Sequence, residues 1–386
     1  MIVYISFGIR QSFGLFMRPV TLDLDWGREP LSMAFAVQNI IIGLSAPLAG
    51  ALADKWGAPR TVALGGALFS AGVFFMSQST TPAMMISSGG ILAGIGLGAC
   101  GLPLVLAVVS RVAPPARRSL WLGVVTSAAT GGQLLIVPFN QAMISGYGWV
   151  PALIMVAVLA GLIVPLAFSM SGGVTAETGR DTEINMGEAL SEAFRHRSLR
   201  LLTLGYFVCG FQILFIAAHL PAYLGDKGAS PEMGAMALML IALFNMLGSW
   251  LSGWLGGKYP KKYLLSSIYL LRSISIAAFF LLPLSPVTLT LFASVIGLLW
   301  LSTVPLTTGL VAQFFGVRYM GVLYGFVYLS HQLGSFTGVW LGGLLFDLTG
   351  SYDAIWWMAI ALGVVSALLH LPINDRPVER LSRAPA

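Results

Sequence analysis

Apolar runs of about 20 residues, broken only by short polar turns, recur along the whole chain. A helix needs roughly 20 mostly apolar residues to cross the hydrocarbon core of a bilayer. On that measure twelve spans are predicted, at 1–19, 30–53, 61–79, 82–110, 119–143, 149–170, 199–223, 232–255, 262–283, 287–315, 319–346 and 354–371. Gly and Ala are frequent within them, which favours helices packed through small residues. A β-barrel would instead alternate apolar and polar positions every second residue. The expected class is an all-α membrane protein.

A shift of about 202 residues lays the second half of the chain over the first. Gly8-Ile9-Arg10 falls on Gly210-Phe211-Gln212, Pro19 on Pro221, Pro103 on Pro305 and Gly132 on Gly334. Two parallel, pseudo-symmetric six-helix halves are expected, at 1–170 and 199–386, the second ending in a short cytoplasmic tail. Such repeats hold a solute near the midplane between them. Residues 171–198 join the halves and are the one long polar stretch. There Asn185 and Glu188 read as a capping box. Met186, Ala189, Leu190 and Ala193 make one face of a short amphipathic helix lying on the cytoplasmic membrane surface.

Composition agrees with the pattern. Of 386 residues, 57% are hydrophobic and 9% charged, against about 25% charged in soluble domains. Net charge is +6, but its distribution excludes a nucleic-acid surface. With the turn after helix 2 placed in the cytoplasm, sixteen of the 21 Lys and Arg fall in cytoplasmic loops and tails and three (Arg18, Arg28, Lys227) fall outside. That is the positive-inside asymmetry, and it puts both termini in the cytoplasm. Helix 1 starts at Met1 without a basic stub, whereas helix 7 follows Arg195, Arg197 and Arg200, so a short segment is expected ahead of this sequence. A signal peptide is not, because Arg10 interrupts the apolar run. Compact loops point to a bacterial inner (plasma) membrane, and a monomer is expected.

Arg10 and Arg272, the remaining two cations, lie in mid-span with no Asp or Glu beside them in the membrane. A charge at that depth costs between about 3 and 15 kcal/mol, so it faces a partner, a water-filled cavity or a solute. Two buried cations without an anion point to a small organic anion as cargo. Arg10 is too far from either interface to snorkel. It reads as a carboxylate clamp, or else as a hydrogen-bond node on main-chain carbonyls. Arg272 reads as a second contact or as a tie between helices. Tyr324, Tyr328, His331 and Ser335 share one face of helix 11, as Thr126, Thr130, Gln133 and Asn140 share one of helix 5. With Gln11, Gln212 and Asn245, the helix 11 residues Tyr324, Tyr328 and His331 complete the expected substrate-binding set. His331 is the residue expected to carry any coupled proton, and His219 is expected to be structural.

Other chemistry is not indicated. Cys100 and Cys209 have no metal spacing and read as small apolar fillers. Gly94-x-Gly96-x-Gly98 lies inside a helix and reads as close packing, not a phosphate loop. No metal, no cofactor and no enzymatic activity are expected.

The turn between helices 2 and 3 reads Gly50-Ala51-Leu52-Ala53-Asp54-Lys55-Trp56-Gly57-Ala58-Pro59-Arg60. It resembles the cytoplasmic signature of the major facilitator superfamily at Gly50, Asp54, Lys55, Gly57 and Arg60. Ala58 and Pro59 depart from it, and the second-half copy has Gly257 where the acid would be. The resemblance implies that Asp54 pairs with basic groups or a helix N-terminus in one conformation and releases them in another; a fixed hairpin turn is the alternative. Within that superfamily the chain looks most like the monocarboxylate and oxalate/formate porters. The carriers are Gly8 to Phe16, Cys209 to Gln212, His219 to Tyr223, Thr303 to Thr307, His331-Gln332-x-Gly334 and Phe346-Asp347-x-x-Gly350-Ser351-Tyr352. The resemblance implies a substrate-linked cation in helix 1, near Arg10 or Gln11. Where the animal relatives carry an Asp and an Arg in helix 8, this chain has Asn245 and Ser249. The implied function is secondary transport of a monocarboxylate-like anion by alternating access, as proton symport or anion exchange. A drug or metabolite exporter is the alternative, and a non-transporting membrane sensor is the alternative of another class.

Overall fold

A computed structural model describes residues 1–112, 118–170, 193, 195–315 and 320–376. The expected linker helix, with Asn185 and Glu188, lies outside them. All regular structure among the described residues is helical, in segments α1 (2–23), α2 (Glu29–Trp56), α3 (Ala58–Ser77), α4 (82–112), α5 (Arg118–Tyr147), α6 (149–168), α7 (Arg197–Asp226), α8 (Pro231–Gly256), α9 (Lys261–Leu281), α10 (286–315), α11 (Met320–Thr349) and α12 (Asp353–His370). Their ends differ from the apolar pattern by at most four residues. Among the described residues nine, all but α1, α5 and α11, are long and apolar enough to cross a membrane.

Packing gathers the chain into two compact units. Of the described residues, the first holds those within 1–170, 213–243 and 335–355, and the second those within 193–212, 244–334 and 356–376. In the first, α1 and α5 touch through bare backbone: a Cβ on Gly132 would fall 1.8 Å from the Tyr4 carbonyl oxygen. The glycine run in α4 serves two neighbours. Gly94 and Gly98 face Ile41 and Ser45 of α2, while Gly96 faces Phe69 of α3. Close helix approach of this kind replaces the hydrophobic drive that lipid removes.

The start of α2 is capped from elsewhere in the chain. Arg28, at the N-cap, supplies no side-chain cap. Instead the Asp347 carboxylate accepts the Arg28 and Glu29 backbone N–H groups, both at 2.7 Å. A carboxylate at a helix N-terminus also meets the positive end of the helix dipole. At the other end of α2, Gly57 has φ 90° and ψ 145°, a conformation that side chains disfavour. The signature turn therefore needs this glycine. Lys55 and Arg60 are exposed, and the Asp54 side chain lies outside the described residues.

In the second unit α10 breaks at 300–302 and resumes at Thr303. Pro305 cannot donate a backbone hydrogen bond, and the break leaves carbonyls without helical partners. A break at membrane depth survives only where neighbouring groups satisfy the freed backbone.

Candidate functional site

Arg10 ends a regular turn of α1, just before the tighter helical turn Phe13–Phe16. It lines a cavity of about 20 Å³ in the first unit with Gln11, Gln38 and Asn39. Among the described residues lining it, Arg10 alone is charged. The Arg10 Nη2 donates to Asn39 Oδ1. Asn39 is held in turn by its own Nδ2, which donates to the Phe35 carbonyl at 2.7 Å. Gln38 Nε2 donates to the Gly89 carbonyl at 2.7 Å, in the widened turn of α4 (Ile86–Leu92). Gln11 Nε2 reaches Gln133 Oε1 at 3.5 Å, and Gln133 Nε2 donates to the Leu238 carbonyl at 3.0 Å. Phe13 and Phe35, stacked with 5.3 Å between centroids, also line the cavity. Gly14 sits so close to Ala217 that a Cβ would lie 2.1 Å from its carbonyl oxygen. The space is on the scale of a water molecule.

Arg272, expected as a second anion contact, has its guanidinium committed to the protein. It is 2% exposed. Its Nε donates to the Leu299 carbonyl at 3.1 Å, its Nη2 to the Leu299 and Trp300 carbonyls, and its Nη1 to Cys209 Sγ at 3.3 Å. These carbonyls are the ones freed by the break in α10. Asn245, also expected in the shell, takes the other side of that break: its Oδ1 accepts the Leu301 N–H at 3.0 Å and the Ser249 hydroxyl at 3.1 Å. Gln212 Nε2 donates to the Ala359 carbonyl at 2.9 Å. All three polar side chains serve main-chain groups of the second unit. Cys209 in turn is more than a filler, with Arg272 and the Thr303 hydroxyl (3.2 Å) both at its sulfur.

The α11 stripe forms a continuous aromatic ladder. Tyr328 stacks on His331 at 5.9 Å and 6°, and Tyr206 lies 4.9 Å from the same imidazole. The Tyr206 and Tyr324 hydroxyls are 3.3 Å apart. His331 Nδ1 lies 3.1 Å from Gln332 Oε1. On α5, Asn140 Nδ2 donates to Ser12 Oγ at 2.6 Å, so that stripe ties α5 to α1.

A second polar cluster closes the end of the first unit where α2 begins. Arg28 grips Asp226 with two hydrogen bonds, Nη2 to Oδ1 at 2.6 Å and Nη1 to Oδ2 at 2.7 Å. Nη1 also donates to the Tyr352 hydroxyl at 2.8 Å, and the guanidinium lies 3.7 Å above the Phe346 ring. Burial opposes the Arg28 charge, but the hydrogen bond to Asp226 and the Tyr352 phenol outweigh it and raise the pKa. Burial also pushes the Tyr352 phenol up, against the pull of Arg28, so it stays an O–H donor. That hydroxyl meets His219 Nδ1 at 2.9 Å, while His219 Nε2 lies 2.8 Å from the Val339 carbonyl. Trp340 Nε1 donates to Glu29 Oε1 at 3.2 Å.

Sequence reasoning missed Gln38 and Asn39, although two adjacent amides in an otherwise apolar span were a signal. It also missed the Arg28 cluster. Phe346, Asp347 and Tyr352 were visible only as a pattern of resemblance, without a role.

Residues 1–339 match the family model of the Major Facilitator Superfamily. The uncharacterized MFS-type transporter YcxA of Bacillus subtilis is 27% identical over 95% of this chain and 91% of its own length. Monocarboxylate transporter 13 of Rattus norvegicus is 27% identical over 94% and 86%. The oxalate:formate antiporter of Oxalobacter formigenes is 24% identical over 97% and 90%. A bacterial homolog of the human lysosomal transporter Spinster, in an inward-facing and unoccupied conformation, shares the fold with TM-score 0.74 at 14% identity, over 100% of this chain and 97% of that one. The chain is an integral membrane transporter for a small molecule, not an enzyme, and it belongs to the Major Facilitator Superfamily.

Proposed function

We propose that this transporter carries a small, monocarboxylate-like organic anion by alternating access, with Arg10 as the group that binds the negative charge. One observation carries the reading: Arg10 lines a cavity whose other polar walls, Gln11, Gln38 and Asn39, are neutral amides. A guanidinium there presents a planar fork suited to a carboxylate. The Asn39 amide oxygen accepts from Arg10 at the place proposed for a carboxylate oxygen. A solute of several heavy atoms needs more room than about 20 Å³, so binding requires Asn39 to yield and the cavity to widen. Two relatives named for monocarboxylate transport and oxalate:formate exchange support this cargo class.

Tyr324, Tyr328 and His331 remain the polar residues of α11 proposed to meet the solute. Arg272, Asn245 and Gln212 are better read as mending main chain. We place both termini in a bacterial plasma membrane's cytoplasmic side, keep 1–170 and 199–386 as the repeating halves, and expect a monomer. Asp54, Lys55 and Arg60 are proposed to gate the cytoplasmic end. Symport with a proton and exchange of anions both satisfy the charge balance.

The test is anion binding to purified protein, screened with acids, bases and neutral solutes by thermal shift. Arg10→Gln is expected to weaken anion binding at least tenfold, since a hydrogen bond to a charged group is worth about 1.5–3 kcal/mol. A folded Arg10→Gln protein that binds as tightly as wild type removes Arg10 from the site. Stabilisation by lipophilic cations alone replaces the anion reading with export.

A further inference from the structure

The cluster at the start of α2 forms a directed hydrogen-bond chain with a histidine at its end. The Val339 carbonyl can only accept, so His219 Nε2 carries a hydrogen. Arg28 Nη1 can only donate, so the Tyr352 oxygen accepts from it. The Tyr352 hydroxyl hydrogen is then free to donate to His219 Nδ1, which must be bare. Every link is satisfied when the imidazole is neutral. A proton on Nδ1 makes that nitrogen a second donor to Tyr352, leaves the phenol hydrogen without its acceptor, and puts two cations on either side of one hydroxyl.

We propose that His219 is a proton-binding residue whose protonation releases this latch and so opens the α2 end of the first unit. The charged and titratable groups near it come from several elements. Arg28 and Glu29 come from the start of α2, Asp347 from α11, and Tyr352 and Asp353 from the start of α12; Tyr223 and Asp226 lie on α7 itself. Asp226 is saturated by Arg28, and Asp347 by two backbone N–H groups. Glu29 accepts from Trp340. Asp353 is exposed to water at the start of α12. None of these acids accepts from His219 in the hydrogen bonds of the latch, whereas water can solvate a charged imidazole once the latch parts. Protons therefore favour the parted form. One proton taken up per opening raises the ratio of parted to latched molecules by up to tenfold for each pH unit below the ordinary histidine value of about 6.5.

This inference rests on the chain being a transporter and not on which solute it carries. The experiment is pulsed electron–electron spin distance measurement on full-length protein in lipid nanodiscs. Nitroxides are placed at the exposed positions Leu22 and Leu348, in a background lacking Cys100 and Cys209. Between pH 7.5 and 5.5 the long-distance population should grow by up to about tenfold relative to the short one. His219→Gln keeps a donor for Val339 but cannot take a proton, and should abolish the response. Tyr352→Phe removes the conflicting hydroxyl and should flatten it. Wild-type distances that ignore pH overturn the proposal, as does a full response in the folded Gln variant. Neither result touches anion binding at Arg10, which is read separately by thermal shift.

Discussion

Replacing Arg272 with methionine separates a structural cation from a binding one. The methionine fills similar volume but offers no donor to the Leu299 and Trp300 carbonyls, which are freed where α10 breaks. Leaving a buried acceptor unpaired costs about 1–3 kcal/mol, so two cost about 2–6 kcal/mol. Removing the guanidinium also relieves the cost of holding a charge in apolar surroundings, which offsets part of that. Breaking comparable buried networks costs about 3–5 kcal/mol, and a net loss of about 3 kcal/mol is expected. At roughly 2–4 °C per kcal/mol, the melting temperature should fall by on the order of 6–12 °C. Arg272→Lys should recover only part, since a single ammonium cannot span both carbonyls with the fork that Arg presents. Differential scanning fluorimetry on detergent-purified protein reads the stability, and calorimetric titration reads anion affinity of the folded fraction, which should stay within about twofold of wild type. An Arg272→Met protein that melts with wild type, or whose folded fraction loses the anion, refutes a purely structural role for Arg272.

Two further substitutions probe the first unit. Asn39→Asp puts a permanent carboxylate where the Asn39 oxygen now meets Arg10, at the cost of the amide's bond to the Phe35 carbonyl; it should leave the melting temperature without added anion close to wild type and weaken anion binding at least tenfold. Both readouts come from one thermal-shift series, and unchanged affinity would show that the solute does not use this face of Arg10. Asp347→Ala removes the acceptor for two N–H groups at the start of α2 and should cost about 1–2 kcal/mol, as loss of an N-cap does. Hydrogen exchange should accelerate locally over residues 28–32, and uniform exchange across α2 would argue against a capping role.

How far the chain was legible depended on whether a residue's role is set by its own segment or by another's. The helices were legible because a bilayer imposes length and apolarity locally, and a polar turn such as Gly57 to Arg60 marks its own boundary. The two arginines look alike by that local measure: each is a lone cation in an apolar run. What separates them is 27 residues away in one case and 29 in the other. Arg272 meets carbonyls that exist only because α10 breaks near Pro305, and Arg10 meets an amide on α2 beside a cavity. A charge count along the sequence records the cost of burial but not what offsets it. The same limit explains the latch. Arg28 reads as a loop cation on the outer side, and its partners lie 198 and 324 residues further along. His219, expected to be structural, gains its chemical meaning from Tyr352, which fixes which of its nitrogens is bare. Buried charge in a membrane protein is therefore a prompt to search for the freed backbone or the solute that balances it. Here one arginine has found backbone, and the other lines a small cavity among neutral amides.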